Sequence, residues 1–224
     1  MTRVAAVIPA YQAEAWVGAV VRGVLEQLGS VLVVDDGSTD ATAERAREAG
    51  AEVVSLPENR GKGAALRRAF DEWLERDVDA VVTLDADGQH LPSEIPRLVA
   101  AATGADLVLG SRDHLFRRMT GLRRWSNTLS SRAISIAAGL PLPDVQTGFR
   151  LYSRRLLEAV PLREDRFEAE SAVVVRAARR GLAVRCVPVE LGFADGTRTS
   201  HYRPLIDSLR IARAVVAARF DGGR

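Results

Sequence analysis

The chain has 224 residues, 47% of them hydrophobic, which is ample for one sizeable core and borderline for two domains. Its 31 Lys and Arg against 29 Asp and Glu leave a near-neutral balance that argues against a general nucleic-acid binder. Cys186 is the single cysteine, so an internal disulfide and a cysteine-based metal centre are both excluded. No apolar run is long enough to span a bilayer, and the amino terminus enters a strand without a signal-peptide pattern; the expectation is a cytoplasmic protein, at most peripheral to the cytoplasmic membrane face.

Arg3 to Ile8 reads as a strand stopped by Pro9, and Glu14 to Leu28 carries apolar residues at helical spacing. Val31 to Val34 is an apolar strand ending in Asp35-Asp36-Gly37-Ser38, with Thr39 and Asp40 as N-caps for a helix reaching Ala49. Glu52 to Leu56 is a third strand, and Gly61-Lys62-Gly63 opens a helix to about Arg76. Ala80 to Leu84 is a short β-branched run that ends in Asp85-Ala86-Asp87-Gly88-Gln89-His90. A helix over about Ser93–Ala102 and a strand over Asp106–Gly110 follow. Strand and helix alternate, which predicts an α/β fold with a mostly parallel central sheet and helices on both faces.

The second half is less regular. Asp113 to Ala138 is a long basic helical region, and Asp144 to Arg150 a loop or edge strand. Glu168 to Arg180 is a helix stopped by Gly181, Val184 to Phe193 one or two short strands, and Pro204 to Phe220 a last helix with proline at its start. The expected organisation is a single domain over 1–224, with a nucleotide-binding half over about 1–112 and an acceptor half over about 113–224.

Polar clusters stand at the ends of the first, second and fourth strands: Pro9-Ala10-Tyr11, Asp35-Asp36 and Asp85-Ala86-Asp87. In a parallel sheet these ends share one edge, where α/β proteins bind ligands. Asp85 and Asp87 need a cation or a shared proton to relieve their repulsion, and a hard divalent ion holding a diphosphate meets that need. Asp36 can accept hydrogen bonds from a base and Tyr11 can stack on it; either Asp35 or Asp36 could instead cap the next helix. The amides and dipole at Gly61-Lys62-Gly63 favour an anion, although Gly-Lys-Gly is also an ordinary loop.

Taken together, Val-Ile-Pro-Ala-Tyr, Val-Val-Asp-Asp-Gly-Ser-Thr-Asp, Asn-Arg-Gly-Lys-Gly, Asp-Ala-Asp-Gly-Gln-His, Gly-Ser-Arg112 and Gln146-Thr-Gly-Phe-Arg150 resemble the family 2 glycosyltransferases of GT-A fold. Within that family the chain is most similar to the dolichyl- and polyprenyl-phosphate mannosyl- and glucosyltransferases. The resemblance implies that Asp36 binds the nucleotide base with Pro9 and Tyr11 beside it. It implies that Asp85, Asp87 and Gln89 hold Mg²⁺ or Mn²⁺ and the donor diphosphate. Arg112 would contact the donor or the acceptor phosphate, and His201 would reach the diphosphate. Where that group often carries Tyr-Asn-Glu, this chain has Tyr11-Gln12-Ala13, with Glu14 one place later.

The implied activity is a metal-dependent, inverting transfer from a UDP- or GDP-sugar to a polyprenyl or dolichyl phosphate. The alternatives are a soluble or protein hydroxyl as acceptor, or a non-catalytic nucleotide-sugar-binding protein. A hydroxyl acceptor needs a carboxylate base. Glu168 and Glu170 are candidates for it, and both could equally be a dipole-stabilising first helical turn. Arg117, Arg118, Arg123 and Arg124, interleaved with Leu115, Phe116, Met119, Leu122 and Trp125, suit an anionic membrane surface or a solvated basic face. Arg210, Arg213 and Arg219 give the last helix a similar character. His90 and His114 are expected to be structural rather than metal ligands, and Cys186 to be core.

Overall fold

The computed structural model describes residues 3–112, 121–192 and 204–221; over 121–129 and 204–206 it describes the backbone alone. The elements run β1 (Val4–Ala10), α1 (Val17–Leu25), β2 (Val31–Asp35), α2 (Thr42–Glu48), β3 (Glu52–Ser55), α3 (Lys62–Leu74), β4 (Ala80–Thr83), α4 (Ile95–Ala101) and β5 (Leu107–Ser111). They continue as α5 (Gly121–Ala138), β6 (Arg150–Ser153), α6 (Arg154–Ala159), α7 (Glu168–Arg179), β7 (Val184–Pro188) and α8 (Pro204–Phe220).

Seven strands form one sheet in the order β3-β2-β1-β4-β6-β5-β7. The β1, β2, β3 and β4 pairings are parallel, as is β5 with β7, while β6 runs antiparallel to both β4 and β5. Alternation along the strands splits the core in two. Ala5, Val7, Leu32 and Val34 face a cluster completed by α3, α5, α6, α7 and α8, whereas Ala6, Ile8, Val31 and Val33 face α1, α2 and α4. Each fully buried Val, Leu or Ile side chain there contributes about 1.5–3 kcal/mol relative to exposure.

Four expectations change. Residues 144–150 are neither all loop nor an edge strand: Arg150 begins β6, which lies inside the sheet between β4 and β5. A charged residue can occupy that position because its guanidinium donates to the carbonyls of Val145, Thr147 and Glu170 at 2.8, 2.7 and 2.5 Å. The helix expected from Glu14 starts only at Val17, since the Glu14 carboxylate instead accepts from the Ala41 amide at 3.0 Å, just ahead of α2. α6 was not anticipated; it is a short helix N-capped by Ser153, whose hydroxyl accepts from Leu156 N. Cys186 is half-buried on the edge strand β7, packed against the core rather than within it.

Candidate active site

The carboxyl ends of β1, β2 and β4 lie on one edge of the sheet. Above them opens a cavity of about 570 Å³ lined by Pro9, Ala10, Tyr11, Asp36, Asn59, Lys62, Asp85, Ala86 and Asp87, among others. A smaller cavity of about 230 Å³ adjoins it and shares Lys62, Asp85 and Asp87; Gln89, Arg112, Gln146, Gly148, Arg150 and Glu170 complete much of its wall. The described site residues expected from the sequence line one or other of the two, except Glu168, which lines neither. His201, His114, Arg117 and Arg118 lie outside the described residues, as do the side chains of Arg123 and Arg124.

Lys62, on the first turn of α3, joins the two cavities. Its ammonium lies 2.5 Å from Asp85 Oδ1 and 2.9 Å from Glu170 Oε2, and its side chain is 12% exposed. Burial alone would lower its pKa, but the two carboxylates outweigh that and raise it, so the ammonium stays charged. Burial likewise pushes Asp85 up, yet the neighbouring Lys62, aided by Arg112, brings its carboxyl down to about 2. Asp87 moves the other way: burial and the charge of Asp85 both raise it. Of the pair, Asp87 is thus the one whose charge the protein compensates less, although its Oδ1 accepts from Gln89 N at 3.0 Å.

That imbalance fits a hard divalent cation. Asp85, Asp87 and the Gln89 carboxamide offer only oxygen to it, apart from the amide nitrogen that would turn away. No group of three or more His, Cys, Asp or Glu converges among the described residues, so a diphosphate and water would have to complete the coordination. His90 is buried, stacks on Phe149 at 5.4 Å between ring centroids, and accepts a long 3.4 Å bond from Asp85 N at Nδ1. Burial lowers its pKa to about 4, so the ring is neutral and supports the Asp85 backbone.

The start of α3 differs from a free anion cradle. Asp36 Oδ1 and Oδ2 accept from Arg60 N and Gly61 N at 2.8 Å each, and Ala64 N donates to the Asp165 carbonyl at 2.9 Å. The protein's own groups therefore occupy these amides, and the glycines serve close packing. Gly61 has φ +107°, and a Cβ on it would lie 2.6 Å from both Arg166 Cγ and Asp165 O; one on Gly63 would run into Glu164 O and Ala169 Cβ. The segment ahead of α7 folds onto the loop this way, which brings Arg166 and Phe167 to the larger cavity. Asp36 also borders that cavity; burial raises its pKa against the pull of the two amides.

Gln12, at φ +51°, ties the β1 end to the β2 end. Its amide donates to Ser38 Oγ at 2.9 Å, and its side chain bonds Thr39 and Asp40. The departure at Tyr11-Gln12-Ala13 thus has a structural use. On the far side, Glu170 Oε2 faces Lys62, and Oε1 lies 3.7 Å from Arg150 Nε without a hydrogen-bond partner. Glu168 does not reach the smaller cavity. Arg112, directly after β5, is held by Asp144 and by the Gln146 carbonyl.

Gly148, Asp144 and Arg150 were missed as site residues. A Cβ on Gly148 would overlap both oxygens of Asp85, and its carbonyl is fixed by the Thr83 hydroxyl at 2.8 Å. The run Gln146-Thr-Gly-Phe-Arg150 marked the place, but nothing in it specified these long-range partners.

The Glycosyl transferase family 2 model matches residues 5–160. An undecaprenyl-phosphate mannosyltransferase of Micrococcus luteus is 34% identical over 87% of this chain and 85% of its own length. Glycosyltransferase AglJ of Haloferax volcanii is 34% identical over 73% of this chain, and the polyprenol monophosphomannose synthase of Mycolicibacterium smegmatis 36% identical over 59%; the chain spans about half of each relative, 54% in both cases. Among solved structures, the glucosyl-3-phosphoglycerate synthase of Mycobacterium tuberculosis in complex with Mn²⁺, UDP and phosphoglyceric acid superposes with a TM-score of 0.74 at 26% identity, covering 97% of this chain and 77% of that one. The sheet order, the acid pair at the end of β4 and the matched span agree: this is a GT-A fold, and the chain belongs to glycosyltransferase family 2.

Proposed function

We propose that the chain transfers a sugar, with inversion, from a nucleoside-diphosphate sugar to a polyprenyl phosphate. The observation that carries this reading is the state of Glu170. The acid that borders the smaller cavity beside Asp85 and Asp87 is engaged by Lys62 and flanked by Arg150, so it is poorly placed to take a proton from a hydroxyl. Arg112 brings positive charge to the same wall. A lipid phosphate is already an anion and needs cationic guidance rather than a base.

In this reading the larger cavity takes the nucleotide, with Asp36 and Tyr11 at the base. Asp85, Asp87 and Gln89 would hold Mg²⁺ or Mn²⁺, which supplies Lewis-acid neutralisation of the departing diphosphate. Lys62 keeps the Asp85 carboxylate ionised and fixed. Arg112 orients the acceptor phosphate. One phosphate oxygen forms the new bond to the anomeric carbon as the bond to the donor β-phosphate oxygen breaks, and the electron pair leaves on the nucleoside diphosphate. The relatives' names support the acceptor class, and the bound species of the mycobacterial synthase support the donor class and the metal.

The outer face of α8 supports contact with a membrane surface. Leu209, Val216 and Phe220 are 68, 58 and 77% exposed and lie at helical spacing with Arg213 between them. Arg219 donates to the carbonyls of Ile136 and Ala137, which sets the 75% exposed Ile136 beside this stripe. No helix among the described residues is long and apolar enough to cross a membrane.

The test is transfer by the purified chain from a panel of UDP- and GDP-sugars with Mn²⁺, offering a short polyprenyl phosphate, phosphoglyceric acid or neither. Glycosyl phospholipid product is expected. Product on phosphoglyceric acid with none on the lipid phosphate would replace this reading with a hydroxyl acceptor, and binding without turnover would replace it with a nucleotide-sugar-binding protein.

A further inference from the structure

Asp144 stands in the loop between α5 and β6, and it is 0% exposed. A buried carboxylate must be matched by donors, and four converge on it. Oδ2 accepts from Arg112 N at 3.0 Å and Arg112 Nε at 2.8 Å; Oδ1 accepts from Gln146 N at 3.1 Å and, at 3.4 Å, from Arg112 Nη2. Arg112 Nη2 also donates to the Gln146 carbonyl at 2.9 Å. One edge of the guanidinium is thereby fixed in plane and in rotation, the fork arrangement that only arginine can make.

The surroundings give this fixation a purpose. Arg112 is 14% exposed and lines the smaller cavity together with Asp85 and Asp87. Its charge already acts on Asp85. A guanidinium on a flexible stem beside two carboxylates would swing onto them, since opposite charges attract strongly in a partly desolvated cavity. It would then cover the acids and vacate the cavity wall. The loop that carries Asp144 cannot yield to that pull, because Arg150 grips the carbonyls of Val145 and Thr147 from beneath.

We propose that Asp144 is a positioning residue that holds Arg112 on the acceptor side of the site and off the Asp85–Asp87 pair. This rests on the reading of the smaller cavity as the acceptor phosphate site.

Steady-state transfer by Asp144→Asn, Arg112→Ala, Arg112→Lys and the Asp144→Asn/Arg112→Ala pair tests it, alongside the thermal shift each gains from nucleotide sugar with Mn²⁺. Asp144→Asn is expected to lower kcat/KM for the acceptor by about 10- to 100-fold, the scale of a misplaced contact, while most of the donor shift is kept. Added to Arg112→Ala it should do no further harm. Arg112→Lys, which leaves the carboxylate in place and so guards against a misfolded Asp144→Asn, should lose nearly as much as Arg112→Ala because lysine cannot make the fork. Wild-type activity in Asp144→Asn or Arg112→Lys, full additivity in the pair, or equal loss of donor shift and acceptor use would overturn the inference. A wild-type chain that ignores polyprenyl phosphate sinks the acceptor reading instead; the same comparisons on the acceptor it does use then decide the role of Asp144.

Discussion

The amino-terminal half and the loop at 144–149 furnish the site by different means. In the first, topology does the placing. β1, β2 and β4 are parallel neighbours, with Ala10 opposite Asp35 and Val7 opposite Thr83, so Ala10, Asp35 and the Asp85–Asp87 pair arrive at one edge simply because the strands run the same way. The loop leads into β6, which runs antiparallel, so it reaches that same edge from the opposite direction, with Arg150 opposite Thr83. Its position depends on arginine-to-carbonyl bonds, Arg150 to Val145 and Thr147 and Arg112 to Gln146, and on the Thr83 hydroxyl holding Gly148. Strand ends tolerate change in their neighbours, whereas a loop fixed by a few charged bonds carries its function in each of them.

The sharpest way to probe the first means is Asp87→Ala. Asp87 lies in the strand-end loop, accepts from the local Gln89 amide, and is repelled by Asp85. Its removal should leave the fold, and even relieve repulsion, while transfer falls on the order of 10³-fold. Melting temperature and rate measured on one preparation check this. Near-normal rates, or a rate indifferent to excess chelator, would remove the metal from the reading.

The same contrast explains what was legible beforehand. Hydrophobic period and turn residues locate β1, β2 and β4 and hence Asp36, Asp85 and Asp87, because strand ends are local features. The motif that resembles the family located Gln146 to Arg150 but not its contacts. Arg112 and Asp144 are 32 positions apart, Lys62 and Asp85 23, and no periodicity encodes such pairings. β6 was misjudged for a related reason: a strand opening on a charged residue looks peripheral until its carbonyl partners are known. The glycines of Gly61-Lys62-Gly63 suggested an anion, and the structure fills that place with Asp36.

Gly148→Ala probes the second means with a smaller effect. The added methyl overlaps the Asp85 carboxylate, and the backbone cannot retreat while Thr83 holds the carbonyl. A destabilisation of about 1–3 kcal/mol is expected, with activity down about 10²-fold through displacement of Asp85. Gly29→Ala, where a Cβ meets nothing within 4 Å, is the control; it should stay within about 0.5 kcal/mol of wild type. Equal melting curves for the two variants would mean that the loop accommodates Asp85 more freely than its bonds imply.

Glu170→Gln is the mildest change and separates the two acceptor classes. The amide keeps the shape and one oxygen for Lys62, which retains Asp85 as its ionic partner. If the carboxylate only balances Lys62 and Arg150, loss of one charge-assisted contact should lower stability by about 1–3 kcal/mol and slow lipid-phosphate transfer by less than about tenfold. A general base would show itself as a loss of about 10²–10⁴-fold. Such a loss, with no stimulation by lipid, would move the nucleophile from phosphate to hydroxyl. The ion pair to Lys62 would then have to open in every turnover, and Arg112, already on the cavity wall, would be left to bind the acceptor at a group other than the one that reacts.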